Sequence, residues 1–265
     1  MRRSILWLSA LGLLCGCGGG QTGSGRGTST PPPALNTTGN WQLSMAPTGP
    51  GEALGIAGSL NQSGKVLSGA VHVNSLLGNC FDHLTTVGLT GTLTGSGVSL
   101  TSASVGGQVM TITGSMTDNT LTGTYTISGG CADGDQGNVT GNKIASITST
   151  LSGTFTTSSN QTFDVAAQVT QGSASAEGSF GVTGTATFSN SCFSSGTIKS
   201  GTFPSGSYII GTSVVLEMET GNGTVTFTGT ANQATGEVNG DYTVSGSTCD
   251  QTGSGRLVAT GQWDY

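Results

Sequence analysis

Chemistry in a protein chain needs side chains that move protons, attack electrophiles or hold metals, and such residues are sparse here. The 265 residues include two histidines, thirteen Asp and Glu, and six cysteines. His72 sits in Val71-His-Val73 with its side chain opposite the valines, on the face expected to meet solvent. His83 follows Asp82 directly. In a strand that adjacency points the two to opposite faces, and in a loop it decides nothing. Serines are plentiful, so a Ser-His-Asp hydrolase is the competing class, but no G-x-S-x-G elbow with a strand–turn–helix setting is present. The second half of the chain has no histidine, so a function shared by two similar halves does not require one.

Carboxylates pair at two places. Glu217 and Glu219 share one strand face, as a glycosidase-like pair or a cation site would need, and a solvated strand end needs the same pattern. Asp133-Gly-Asp135-Gln-Gly-Asn138 has the look of a calcium loop without the glutamate that closes an EF-hand. Its counterpart, Asp250-Gln-Thr-Gly253, keeps one acid. A hairpin turn rich in Asp and Gly accounts for both. Neither cofactor nor metal is expected.

Composition restricts the partners. Charged residues make up 8% of the chain, against about a quarter in ordinary globular proteins, and glycine supplies 47 positions. Setting aside Arg2 and Arg3, five basic residues face thirteen acidic ones, a side-chain charge of −8. Phosphate backbones and anionic headgroups find no counter-charge on such a surface, which excludes nucleic acid as a partner. Apolar residues alternate with polar ones from about residue 54 to the end, so the chain reads as folded β-structure and not as a disordered stalk.

The first residues have another purpose. Arg2 and Arg3 precede an apolar run from Ile5 to Leu14, too short to span a bilayer and suited to a signal-peptide core. The run ends in Leu14-Cys15-Gly16-Cys17, which resembles the lipobox of bacterial lipoproteins. The resemblance implies cleavage after Gly16 and acylation of Cys17, with Leu14 at the −3 position; Cys15 departs from the commoner Ala or Ser. Several acyl chains on one cysteine give stable anchoring. Gly18 in place of Asp implies the outer membrane, by the sorting rule of enteric bacteria. Residues 1–16 are thus the expected leader, and 17–39 a lipidated Gly/Ser linker stiffened by Pro31-Pro32-Pro33.

Two similar halves follow, 40–146 and 147–265. Gly39-Asn-Trp41 answers Gly153-Thr-Phe155, and Met110-Thr-Ile-Thr-Gly114 answers Val225-Thr-Phe-Thr-Gly229. Leu121-Thr-Gly-Thr-Tyr125 answers Val238-Asn-Gly-Asp-Tyr242. Offsets drift from 112 residues (Cys80 to Cys192) to 118 (Cys131 to Cys249), as length changes in surface turns produce. Strands recur at ten-to-twelve-residue spacing with glycine-rich turns and no helical period, about eight in each half. Two of those expected in the second half are Gly196–Phe203 and Tyr208–Met218.

The expected fold is all-β: two tandem antiparallel meander barrels from internal duplication, with a pair of sandwiches or one sixteen-stranded barrel as alternatives. A membrane-spanning barrel lacks its outward apolar band, because one face of most strands is Thr, Ser, Asn and Asp and the other is rich in Gly and Ala. The repeated strings also resemble those of avidin-type and lipocalin-like barrels. Trp41, Tyr125 and Tyr242 are expected to fill the cores, or to line a lumen if one is open.

With Cys15 in the leader and Cys17 acylated, four cysteines remain, two per half. The duplication pairs Cys80 with Cys131 and Cys192 with Cys249. No C-x-x-C spacing supports zinc among these four. Each bridge is worth about 4 kcal/mol on the loop-entropy model. The functional expectation is a monomeric, envelope-anchored, non-enzymatic lipoprotein, structural or binding a small molecule, glycan or envelope protein, with an envelope hydrolase as the alternative.

Overall fold

The alternating pattern folds into strands because Thr and Val suit a half-buried pleated surface and glycine supplies the turns. The structure, a computed structural model, describes residues 34–265 apart from 52, 75–79, 81–84, 248, 250–251, 262 and 264–265. The leader, Cys17, the Asp82–His83 pair and Asp250 lie outside the described residues. No helix among the described residues is long and apolar enough to cross a membrane.

The first barrel comprises β1 (Gly39–Pro47), β2 (Leu54–Ser63), β3 (Val66–Asn74), β4 (Thr86–Thr94), β5 (Gly97–Ser102), β6 (Val109–Met116), β7 (Thr120–Ser128) and β8 (Gln136–Ile144). Each strand pairs antiparallel with the next, and β8 returns to β1, with Leu43 opposite Gly141. The second comprises β9 (Ser149–Thr157), β10 (Thr162–Ala174), β11 (Phe180–Phe188), β12 (Ser195–Ile198), β13 (Tyr208–Ile210), β14 (Ser213–Thr220), β15 (Gly223–Asn232), β16 (Glu237–Ser245) and β17 (Thr252–Ala259). It closes where β17 meets β9, and β10 meets β11.

β12 and β13 share one place in the second wall, end to end between β11 and β14. The expected strand Gly196–Phe203 therefore stops at Ile198, and the expected Tyr208–Met218 is two strands around the Gly211-Thr212 turn. Pro204 explains the break: it has no N–H to give a ladder. Residues 199–207 instead leave the wall as an excursion, with Thr202 bridged to Ser205 at its tip.

Both interiors are filled. An eight-stranded barrel is only wide enough for side chains. In β7, Leu121, Tyr125 and Ile127 point in and Thr122, Thr124 and Thr126 point out. Trp41 is fully buried and donates its indole N–H to the Thr37 carbonyl at 2.8 Å, so the chain entering the first barrel also plugs it. In the second, Phe155 stacks between Phe227 and Tyr242 at 5.2 and 5.0 Å, with Phe163 edge-on. Glycine makes this packing possible at β6–β7, where a Cβ on Gly123 would lie 2.7 Å from the Gly114 Cα.

One end of the second barrel rests on the side of the first. The buried Asn40 donates its side-chain N–H to the Gly211 carbonyl and accepts the Gly211 N–H, each at 2.8 Å. Gln42 accepts the Thr212 N–H at 3.4 Å. Gly178, at φ +80°, lies so close to Ala70 that a Cβ would be 3.2 Å from the alanine methyl. Asn40→Ala would leave the Gly211 N–H and C=O unpaired at this joint, a loss of about 1–3 kcal/mol. The expected result in scanning calorimetry is one cooperative transition separating into two, and an unchanged single transition would contradict the assignment.

Candidate functional site

The structure places those of the sequence-derived residues that lie within its described range. Trp41, Tyr125 and Tyr242 are core residues. The Tyr125 hydroxyl donates to the Asp135 carboxylate at 3.3 Å, and burial, then the Asp135 charge, then that hydrogen bond push its pKa up to about 12. Burial alone pushes up Tyr242, whose hydroxyl has no partner, and burial followed by the charge of Glu217 pushes up Tyr208.

The acidic turn serves its own hairpin. Asp133 accepts the Gly129 N–H at 2.6 Å while Asp135 takes Tyr125, so the two carboxylates do not converge. Glu217 and Glu219 also part company. Glu219 pairs with Lys199 at the start of the excursion, an exposed bridge of small worth. Glu217 lies over Tyr208, its backbone held through both N–H and C=O by the Ser207 hydroxyl.

His72, expected in solvent, is only 6% exposed. The outward face of β3 is where the second barrel docks, which sequence periodicity cannot reveal. The imidazole Nε2 lies 2.7 Å from the Glu177 carbonyl oxygen, so Nε2 carries the proton, and its ring is 4.2 Å from that of Phe203 on the excursion. Nδ1 is buried without a partner. Histidine here is part of a joint.

The cysteines pair as the duplication requires, Cys80 with Cys131 and Cys192 with Cys249, with Cα atoms 5.6 and 6.2 Å apart. Each bridge ties the connection after the third strand of its barrel (β3, β11) to the hairpin that ends it (β7–β8, β16–β17). Beside each stands an amide that sequence gave no reason to notice. Gln108 Nε2 donates to the Cys80 carbonyl at 2.5 Å, and Asn222 Nδ2 donates to the Cys192 carbonyl at 2.7 Å. Both occupy the equivalent turn, before β6 and before β15.

With the interiors closed, recesses lie outside. Three adjoining grooves cross β9, β10, β11, β16 and β17, with volumes of about 590, 480 and 280 Å³. Thr154 joins the first to the third, and Thr156 and Ser254 join the third to the second. The first has Asp164 and a floor of Val165, Ala166 and Phe188; the second has Asn160, Asp241 and Thr252; the third has Asn239 and Arg256. Asp164 accepts the Thr154 hydroxyl at 3.3 Å. The Arg256 guanidinium bonds the Glu237 carboxylate, which holds that carboxyl below its ordinary range. Hydroxyls and amides of this kind both donate and accept hydrogen bonds. Asp164 lines the first groove, Asp241 the second and Arg256 the third. Sequence reasoning missed these grooves because their short outward side chains look like any solvated strand face.

No protein family profile matches the chain, and no curated protein matches it in sequence. Among solved structures it is similar to a kievitone hydratase from Nectria haematococca (13% identity, 87% of this chain and 92% of that one, TM-score 0.24). It is also similar to a putative AttH from Nitrosomonas europaea (8%, 84% and 92%, TM-score 0.26) and to the Burkholderia oklahomensis agglutinin (14%, 83% and 94%, TM-score 0.19). Scores this low transfer no function.

The tyrosines give a pH prediction. A phenol whose folded pKa is raised adds stability in full below its unfolded value near 10, and loses it as pH rises through the folded value. Stability should fall between about pH 10 and about 12 as Tyr125 ionises. Spectrophotometric titration at alkaline pH should show Asp135→Asn lowering the Tyr125 transition without restoring the ordinary value, because burial, the largest cause, persists.

Proposed function

We propose that this chain is a lipid-anchored envelope protein whose two-barrel head binds a neutral, polyhydroxylated ligand, a glycan, and performs no catalysis. The observation that carries the reading is the filling of both barrels: Trp41, Tyr125 and Tyr242 close the interiors, so recognition falls to the outer wall. There the grooves offer Thr, Ser and Asn side chains, and the nearby cation Arg256 is already paired with Glu237. A head that is acidic overall disfavours anionic ligands and suits an uncharged sugar, whose hydroxyls both donate and accept. The separation of Asp164 from Asp241 speaks against the hydrolase alternative. The lipobox resemblance at Cys17 supports the anchor, Gly18 supports the outer membrane, and the linker 17–39 supplies reach.

Two experiments separate the parts of this reading. Mass spectrometry of the mature protein should find an acylated Cys17 at the N-terminus, and Cys17→Ala should move the protein from membrane to soluble fractions; an unmodified Cys17 removes the anchor. A neutral-glycan array should give binding that Thr156→Lys with Ser254→Lys lowers by about tenfold, roughly 1.4 kcal/mol, at unchanged melting temperature. An array without signal leaves a structural role for the head and refutes the ligand.

A further inference from the structure

The two disulfides are alike in chemistry and unlike in setting. Cys131 is exposed, in the single turn Gly130–Ala132 that buries no residue, while its partner Cys80 is half-buried against the first core. Cys192 and Cys249 are both half-buried, and both pack against the second core. Thiol–disulfide exchange requires a thiolate to reach a sulfur in line with the bond that breaks, so access selects the site. Of the four cysteines, Cys131 is the exposed residue.

The settings also differ in what holds the ends together apart from the bond. Gln108 is 1% exposed and reaches both segments that the disulfide joins. Its Nε2 donates to the Cys80 carbonyl at 2.5 Å and its Oε1 accepts the Ala132 N–H at 3.1 Å. The turn around Cys131 has its own bonds, Asp135 N–H to Ala132 at 3.1 Å and Gly134 N–H to Ile127 at 3.0 Å. In the second barrel Asn222 is exposed and binds the Cys192 carbonyl, while the Cys249 N–H is held by Ser247 of its own turn. Among the described residues, the amide of the first barrel spans its bridge and that of the second reaches one side.

We infer that Cys131 is a site of reversible thiol–disulfide exchange with low-mass thiols, and that Gln108 keeps the first barrel closed while the bond is open. The thiolate RS⁻ attacks Cys131 Sγ, the S–S electron pair leaves on Cys80 Sγ, and that sulfur takes a proton from solvent. The protein then carries a mixed disulfide at Cys131. A second thiolate releases RSSR and leaves the dithiol. Alternatively, the Cys80 thiolate attacks the mixed disulfide, restores the original bond and expels RSH. Because Gln108 holds both backbone segments, the Cys80 thiol stays near enough to do so.

The test uses the mature full chain in graded glutathione, with rapid alkylation, peptide mapping and thermal melting. Sampled over time at each glutathione concentration, Cys80 and Cys131 should become alkylated about tenfold faster than Cys192 and Cys249, with glutathione found on Cys131. At that point the melting profile should still show a folded first barrel. Opening of Cys192–Cys249 first or together with the other bond, glutathione on Cys80, or loss of the first barrel on opening would each overturn the inference. Gln108→Leu should keep the order of opening and lose the fold of the first barrel on reduction. If that variant unfolds while oxidised, the wild-type titration decides alone.

Discussion

Both barrels depend on one constraint: an eight-stranded meander encloses only enough room for its own side chains. Glycine at close strand approaches, such as Gly114 against Gly123, lets the walls draw in. Trp41 and Tyr125 in one barrel, and the Phe155–Phe227–Tyr242 stack in the other, then fill the interior. Closure satisfies every strand edge, and filling removes the lumen. Everything else, including where ligands can lie and where cysteines can reach solvent, is displaced to the outer walls and the loop ends.

Duplication supplies the frame, and departures from it supply the individuality of each half. The fourth wall position is continuous as β4 but split into β12 and β13, and the excursion between these brings Phe203 onto His72. Together with Asn40 and Gly211, that contact converts a turn end of one barrel into a fitted surface for the side of the other. The amides beside the disulfides diverge in the same way. Gln108 is buried and bonds both segments that its bridge joins; Asn222 is exposed and, among the described residues, bonds the Cys192 side. An identical covalent plan thus acquires two different chemical settings.

The functional reading follows from what the walls present. Charge is too sparse and too acidic for anions, and three of the four carboxylates that sequence paired are engaged elsewhere: Asp133 with Gly129, Asp135 with Tyr125, Glu219 with Lys199. Around β9, β16 and β17 the solvent-facing wall is a band of hydroxyls and amides that also carries Asp241 and Arg256. Such a surface offers hydrogen bonds in both directions, and that is the ground for proposing a neutral ligand.

The all-β class, the duplication, the meander order and the disulfide pairs were legible in the sequence, because alternation has a period of two and cysteine positions repeat with the halves. The inward residues of β7 and β16 could be named in advance for the same reason. Three things were not legible. Local pattern could not say that Pro204 would expel an excursion from the wall, that His72 on an outward face would be covered by a second barrel, or that Gln108 would span a disulfide. Each depends on groups distant in sequence meeting in space, such as Gln108 with Cys80 and Ala132, or Asn40 with Gly211. Sequence by itself determined which face of each strand turns inward, since burial of apolar side chains enforces that choice residue by residue. Only the tertiary structure decided which outward faces stay in water, because that is set by how one barrel lies against the other.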